Sequence, residues 1–134
     1  MRFTVRTDGH AHFVDITDRV AAAVQQSGVA DGVAVVFVSG STAALTTMEY
    51  EDGSIEDIKA VLESLAPEHA DYRHHRRWGD RNGAAHIKAA LIGPDLLVPV
   101  EGAKLALGTW QQIVLIDFDE RPRQRDVIVN VMTG

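Results

Sequence analysis

Val33-Ala34-Val35-Val36-Phe37-Val38 is apolar at every position, and the reading of this run decides the fold. A strand with one wet face alternates apolar and polar residues. This one does not, so it reads as a central strand covered on both sides. Gln112 to Phe118, with Ile113-Val114-Leu115-Ile116 at its heart, is a second strand of the same kind. Two such strands need more cover than the three modest helices the chain offers. The sequence therefore implies a second sheet layer or another subunit.

The rest of the chain is ordered around these two strands. Arg2 to Arg6 alternates, with Phe3 and Val5 on one face, and reads as a half-buried strand; His10 to Val14 reads as a second. Asp15 or Thr17 can cap a helix over Asp18 to Ser27 that Gly28 ends. After Gly40 the chain continues as a strand through Thr42 to Tyr50. Ser54 with Asp57 resembles a capping box, opening a helix to Ala66 that Pro67 stops. Glu68 to Arg81 is polar, His-rich and without periodicity, so it is expected to be irregular. Asn82 can cap a helix over Gly83 to Leu91. Leu96 to Val100 and Lys104 to Leu107 read as a hairpin, and Asp126 to Met132 as a last strand. This order predicts a single α+β domain over residues 1–134.

A composition of 46% hydrophobic and 24% charged residues is that of an ordinary globular protein. The net charge of −6 argues against nonspecific binding to nucleic acid or an anionic membrane, where a basic face is expected. With no cysteine, disulfides and thiolate metal sites are impossible, and any metal must use His, Asp, Glu or water. The segment MRFTVRTDGHAHF has no apolar core of a secretory signal. No apolar run approaches the roughly 18 residues of a membrane span. The expected location is cytoplasmic.

The chemistry concentrates between Tyr72 and Lys88. There, His74, His75, Asn82, His86 and Lys88 surround the start of an otherwise apolar helix. Burying an ionisable residue on such a helix is costly without a partner. His86 is thus either a satisfied core histidine or a site residue facing a cleft. Asn82 and His86 are four apart and share a helix face. A helix N-terminus offers free N–H groups to an anion, which His86 could contact or serve as acid or base. Lys88 could reach a phosphate or remain solvated. His74 and His75 point to opposite sides if extended, so one at most would join His86 in a metal site.

Elsewhere, Gly40-Ser41-Thr42 ends a buried strand and can present N–H and hydroxyl groups to an anion, or form only a polar turn. Glu49 and Glu51 share a strand face and could hold a divalent ion. Arg121, Arg123 and Arg125 could bind phosphate, or pair with Asp119 and Glu120 across a turn. His10 and His12 share a strand face. Trp110 reads first as core packing and second as a pocket wall stacking on a flat heterocycle.

Taken together, GSTAALTTMEYE, YRHHRRWGDRNGAAHIKAALIGPDLLVPV and GAKLALGTWQQIVLIDFDERPRQRDVIV resemble, in the same order and over nearly the whole chain, the YjbQ family, also called secondary thiamine-phosphate synthases. The strings N-x-x-A-H-x-K-A-x-L-x-G-P and L-G-T-W-Q carry most of the specificity. The resemblance implies a compact fold with mixed, largely antiparallel sheets and about three helices, assembled as a homotrimer. It implies pockets near subunit boundaries where the family histidines hold metal or anion. The family elements fall on Tyr72 and His74, on Asn82 and His86, on Glu49, on Gly108 to Gln111, and on Pro122 and Arg123. Many members carry H-T-T-A where this chain has Gly40-Ser41-Thr42-Ala43, so a third imidazole is missing, for which His75 could substitute.

The implied activity is weak thiamine-phosphate synthesis, joining a pyrimidine methyl diphosphate to a thiazole phosphate with release of diphosphate. His86, Glu49 and Arg123 would be catalytic. Ser41, Thr42, Asn82, Lys88, Trp110 and Gln111 would bind the small phosphorylated ligand. His74, His75 and His86 would hold a divalent metal, Mg²⁺ or Zn²⁺. The alternatives are a non-catalytic trimer that binds metal or a phosphorylated ligand, a purely structural trimer, and a metal-dependent hydrolase.

Overall fold

Both apolar runs form central strands, but they are covered differently. In a computed structural model describing residues 1–134, the first is β3 (Gly32–Ser39). It lies between β5 (Asp95–Glu101) and β8 (Arg123–Thr133), with β1 (Arg2–Thr7) and β6 (Lys104–Leu105) at the edges. The second is β7 (Gln112–Asp117), which lies between β2 (His12–Asp15) and β4 (Ala43–Met48) in a three-stranded sheet. Every pairing in both sheets is antiparallel. The chain is thus the expected α+β fold.

The small sheet is the middle layer. Ile113, Leu115 and Leu45 on one face pack against Val36, Val38, Val98, Val127 and Val129 of the five-stranded sheet. Val114, Ile116 and Ala44 on the other face meet Leu62 of α2 (Asp52–Leu65) and Ala85 and Ala89 of α4 (Gly83–Ile92). This explains why β7 has no polar alternation. One side is covered by a sheet and the other by helices. Val20 and Ala23 of α1 (Thr17–Ser27) fill the same sheet–sheet core, and Gly28, at φ 72°, ends that helix in the left-handed region.

β3 departs from expectation. Ala34, Val36 and Val38 are buried, but its other face has no cover. Phe37 there is 40% exposed, beside Leu97 at 68% and Met132 at 51%. The register sets Phe37 opposite Ile128, Val35 opposite Leu97, and Val33 between Pro99 and Met132. The result is an apolar patch along β3, interrupted by Asp95 opposite Phe37 and Asn130 opposite Val35.

The helices number four, not three. Arg73 to Trp78 forms α3 (Arg73–Trp78) inside the segment expected to be irregular. Its sequence shows no periodicity because none of its residues is buried; Gly79 at φ 72° closes it. α2 begins two residues before Ser54. Its cap is Glu51, whose carboxylate accepts the N–H groups of Gly53 and Ser54. β2 also starts later than expected. Gly9, His10 and Ala11 have φ of 78°, 55° and 61°, a left-handed turn. His10 therefore pairs with Glu68, while His12 Nδ1 accepts the Asp8 N–H, and the two imidazoles share no strand face. No helix is long and apolar enough to cross a membrane.

Candidate active site

The first turn of α4 carries the site. His86 is half-buried, faces a cleft, and takes no hydrogen bond from the protein on either ring nitrogen. The cleft, about 320 Å³ and open to solvent, is lined by Gly40 and Ser41 from the β3–β4 loop, Ala89 and Ala90 from α4, and Pro94. The core reading of His86 is therefore excluded. Its ring stacks against that of His74 in α3, with centroids 4.3 Å apart and planes tilted by 38°. Burial holds His86 below its ordinary 6.5; His74 pushes it further down, and Asp119 and Asp80 pull it partly back. At neutral pH the ring is uncharged, with one nitrogen donating and the other accepting.

The start of α4 is not capped as expected. The Asn82 side chain makes no cap; its Nδ2 instead donates to Asp119 Oδ1 at 3.3 Å. The capping residue is His75, whose Nε2 accepts the Gly83 N–H at 3.0 Å. The neighbouring N–H groups of Ala84 and Ala85 have no acceptor in the chain. Gly83 must be glycine, because a Cβ would fall 2.7 Å from that of Tyr72. Four buried side-chain atoms lack a hydrogen-bond partner in the chain: His74 Nδ1, His75 Nδ1, Asp80 Oδ1 and Asn82 Oδ1. All lie between α3 and the first turn of α4. His74 Nδ1 stands 3.0 Å from Asp80 Oδ1, but off the line of a hydrogen bond.

Beneath the cleft lies a buried network that the sequence reading missed in part. Asp117, at the end of β7, is fully buried and accepts Arg125 Nε at 2.6 Å, Arg125 Nη2 at 2.9 Å and the Thr7 hydroxyl at 2.6 Å. Asp119, equally buried, accepts the Thr42 hydroxyl at 2.8 Å, Arg123 Nε at 3.0 Å and the Glu120 N–H at 2.7 Å, besides Asn82. Arg125 Nη2 also donates to Thr42 Oγ1 at 2.6 Å. Burial pushes both carboxyls up, but the hydrogen bonds outweigh it and hold both below the ordinary carboxylate value. One signal could have revealed Asp117. It shares a strand face with Ile113 and Leu115, and Arg125 shares one with Val127 and Val129. Two buried faces that each end in an opposite charge are placed to pair.

The expected site residues thus fall into separate groups. Ser41, Thr42, Asn82, His74, His75, His86 and Arg123 gather around the start of α4 and the end of β7. Ser41 is exposed at the cleft, whereas Thr42 is committed to the network, and Arg123 is held by Asp119. Lys88 points away from His86. It is buried over the Phe118 ring with Nζ 3.8 Å from Glu63, so it is neither solvated nor a phosphate ligand of this cleft. Glu49, Trp110 and Gln111 lie at the opposite end of the small sheet. Gln111 Nε2 donates to Thr47 there, and Trp110 is 72% exposed rather than in the core. Thr42 and Glu49 bracket the whole of β4, roughly 20 Å of extended chain.

The donor set does not fit the metal that the resemblance implies. No three His, Asp or Glu side chains converge as ligands. His75 Nε2 is occupied by Gly83, Asp117 and Asp119 are saturated by guanidinium, hydroxyl and amide donors, and position 40 is glycine.

The UPF0047 protein YjbQ-like family model matches residues 1–134. A UPF0047 protein of Archaeoglobus fulgidus is 42% identical over 132 residues, which are 98% of this chain and 100% of that one. The UPF0047 protein YugU of Bacillus subtilis is 33% identical over 130 residues, 96% of this chain and 95% of that one. Among solved structures, a YjbQ/UPF0047-family protein from Clostridium acetobutylicum superposes with a TM-score of 0.89 at 38% identity, covering 98% of this chain and 99% of that one. A hypothetical protein from Aeropyrum pernix superposes with a TM-score of 0.91 at 31% identity, over 100% and 98% of the two chains.

Proposed function

The chain belongs to the YjbQ-like UPF0047 family, and on that footing we propose that it binds a small phosphorylated molecule in the α4 cleft, with His86 as the acid–base group. The observation that carries this reading is His86 itself: unbonded, uncharged and facing the Ser41 loop. A neutral imidazole can give a hydrogen bond to a phosphate oxygen or accept a proton from a reacting group near pH 7. The exposed Ser41 hydroxyl across the cleft supplies a second donor to an anion beside it.

Thiamine-phosphate synthesis is the specific transfer that the family resemblance suggests. In this reading the C–O bond to diphosphate breaks as the thiazole nitrogen bonds to the methylene carbon, the cleft takes the diphosphate anion, and the neutral His86 ring donates a hydrogen bond to it. Glu49, Trp110 and Gln111 are too distant to act within the same protomer. They join the site only from a neighbouring subunit of a homotrimer. The uncovered face of Phe37, Leu97 and Met132 supports self-association, as apolar patches of this kind mark interaction surfaces. Non-catalytic binding of a phosphorylated ligand is the second reading, favoured by the lack of a three-ligand metal set. A zinc hydrolase would need that set, so this reading falls behind both.

The test is calorimetric titration of wild type and His86→Ala with inorganic diphosphate, followed by a coupling assay with the two thiamine precursors. Binding that is lost in the variant, with product formed by wild type alone, is the expected result. Binding without product selects the non-catalytic reading. Equal affinity in both proteins, or none in either, sinks the cleft assignment.

A further inference from the structure

Arg125 has a role beyond the ion pair that holds it. It is 6% exposed. Nε and Nη2 are spent on Asp117 and Thr42. Nη1 donates to nothing in the chain, yet it is not among the sealed, unsatisfied atoms. It lies directly behind Gly40: a Cβ there would stand 2.6 Å from Nη1 and 3.6 Å from the guanidinium carbon. Gly40, at φ 139°, lines the same cleft as Ser41 and His86. Glycine at this position thus leaves no side chain between a buried cation and the cleft.

We propose that Arg125 is a ligand-binding residue, presenting Nη1 past Gly40 to an oxygen of the phosphate group held beside Ser41 and His86. The inference rests on the reading of the cleft as a phosphate site and adds a cationic donor that the site otherwise lacks, since His86 is neutral, Lys88 faces elsewhere and Arg123 lines a separate pocket with Arg6, Thr7 and Gln124. A guanidinium keeps its charge at every accessible pH. This one is already fixed by Asp117 and Thr42, so little side-chain freedom remains to be lost when the ligand arrives. The geometry also divides the work. Asp117 and Thr42 hold two nitrogens and aim the third.

The experiment is a titration of the full chain with inorganic phosphate and then diphosphate. Arginine side-chain ¹⁵N resonances and the His86 ring are followed together by NMR. Arg125 Nη and His86 are expected to shift along one isotherm. Arg125→Lys, which keeps a charge for Asp117 but loses the free fork, is expected to weaken affinity by about tenfold or more. Gly40→Ala, whose methyl would sit against Nη1, should do the same with Arg125 unchanged. If His86 shifts while Arg125 stays silent, and both variants bind as wild type does, Arg125 is only structural and the cleft assignment survives. If neither resonance moves, the phosphate reading itself fails and this inference falls with it. Should either variant fail to fold, the wild-type guanidinium shifts decide.

Discussion

Replacing Asp117 with asparagine tests the buried network most directly. The substitution keeps shape and volume but removes the charge that faces Arg125, whose side chain is only 7% exposed, across contacts of 2.6 and 2.9 Å. The new amide also turns an NH₂ toward donors. Deleting one partner of a buried ion pair leaves an uncompensated charge in low dielectric, which costs about 3–5 kcal/mol. For a domain of this size that corresponds to a fall in Tm of about 11–18 °C. The assay is urea unfolding at fixed protein concentration, with the slope checked so that a changed unfolded state is not mistaken for lost stability. Asp126→Asn is the control. It breaks the exposed Arg2–Asp126 pair at 3.3 Å and should cost no more than about 1 kcal/mol. Asp117→Asn combined with Arg125→Met removes both charges and should recover much of the loss. Because the native Asp117 and Asp119 carboxyls are held below their ordinary value, the stability they add is complete above the ordinary carboxylate range. It is lost as pH falls below that range toward their lowered native values. Asp117→Asn should therefore flatten part of the acid limb of the stability curve. A variant within about 1 kcal/mol of wild type, with the same acid limb, would refute the claim that this pair is uncompensated when broken.

His75→Ala removes the acceptor of the Gly83 N–H and should cost about 1 kcal/mol, as loss of a helix cap does; amide exchange at Gly83 reports it, and unchanged protection would reassign the cap. Phe37→Lys places a charge on the open apolar face and, if that face joins subunits as proposed, should shift the sedimentation profile toward monomer; an unaltered profile would remove this face from the proposed interface.

The legible part of the fold was the part set by hydrophobic pattern. β7 lacks alternation because a sheet covers one side and helices the other, and the sequence shows that lack directly. β3 shows the same pattern, yet the chain itself covers only one of its faces. Pattern reports that a face is apolar, not what lies on it. α3 was invisible for the opposite reason, since a six-residue helix with no fully buried residue and no apolar core face needs no periodicity. In the site, His86 was legible because an imidazole on an apolar helix has to be accounted for. The cap was not, because Asn82 has the right chemistry at the right position but is drawn away by Asp119, a residue 37 positions later in the chain. Competition between a local cap and a distant carboxylate is decided by tertiary packing, which no window of sequence contains.

That competition bears on why the network exists. Buried ion pairs are weak contributors to net stability, and well-packed apolar residues often serve as well or better. An apolar replacement for Asp117 and Arg125 could join β7 to β8. It could not engage Thr42, nor leave a cation behind Gly40. Asp119 likewise binds Thr42 before β4, Asn82 before α4 and Arg123 at the start of β8. Two carboxylates and two guanidiniums therefore fix three separate chain segments around one cleft, each through a hydrogen bond with a direction. Direction is what hydrophobic contact lacks, and a binding site requires it. The network's energetic cost thus fits a positioning role, and the paired substitution of Asp117→Asn with Arg125→Met separates the two quantities. If that double variant regains its stability but no longer binds phosphate, the charges were kept for the site rather than for the fold.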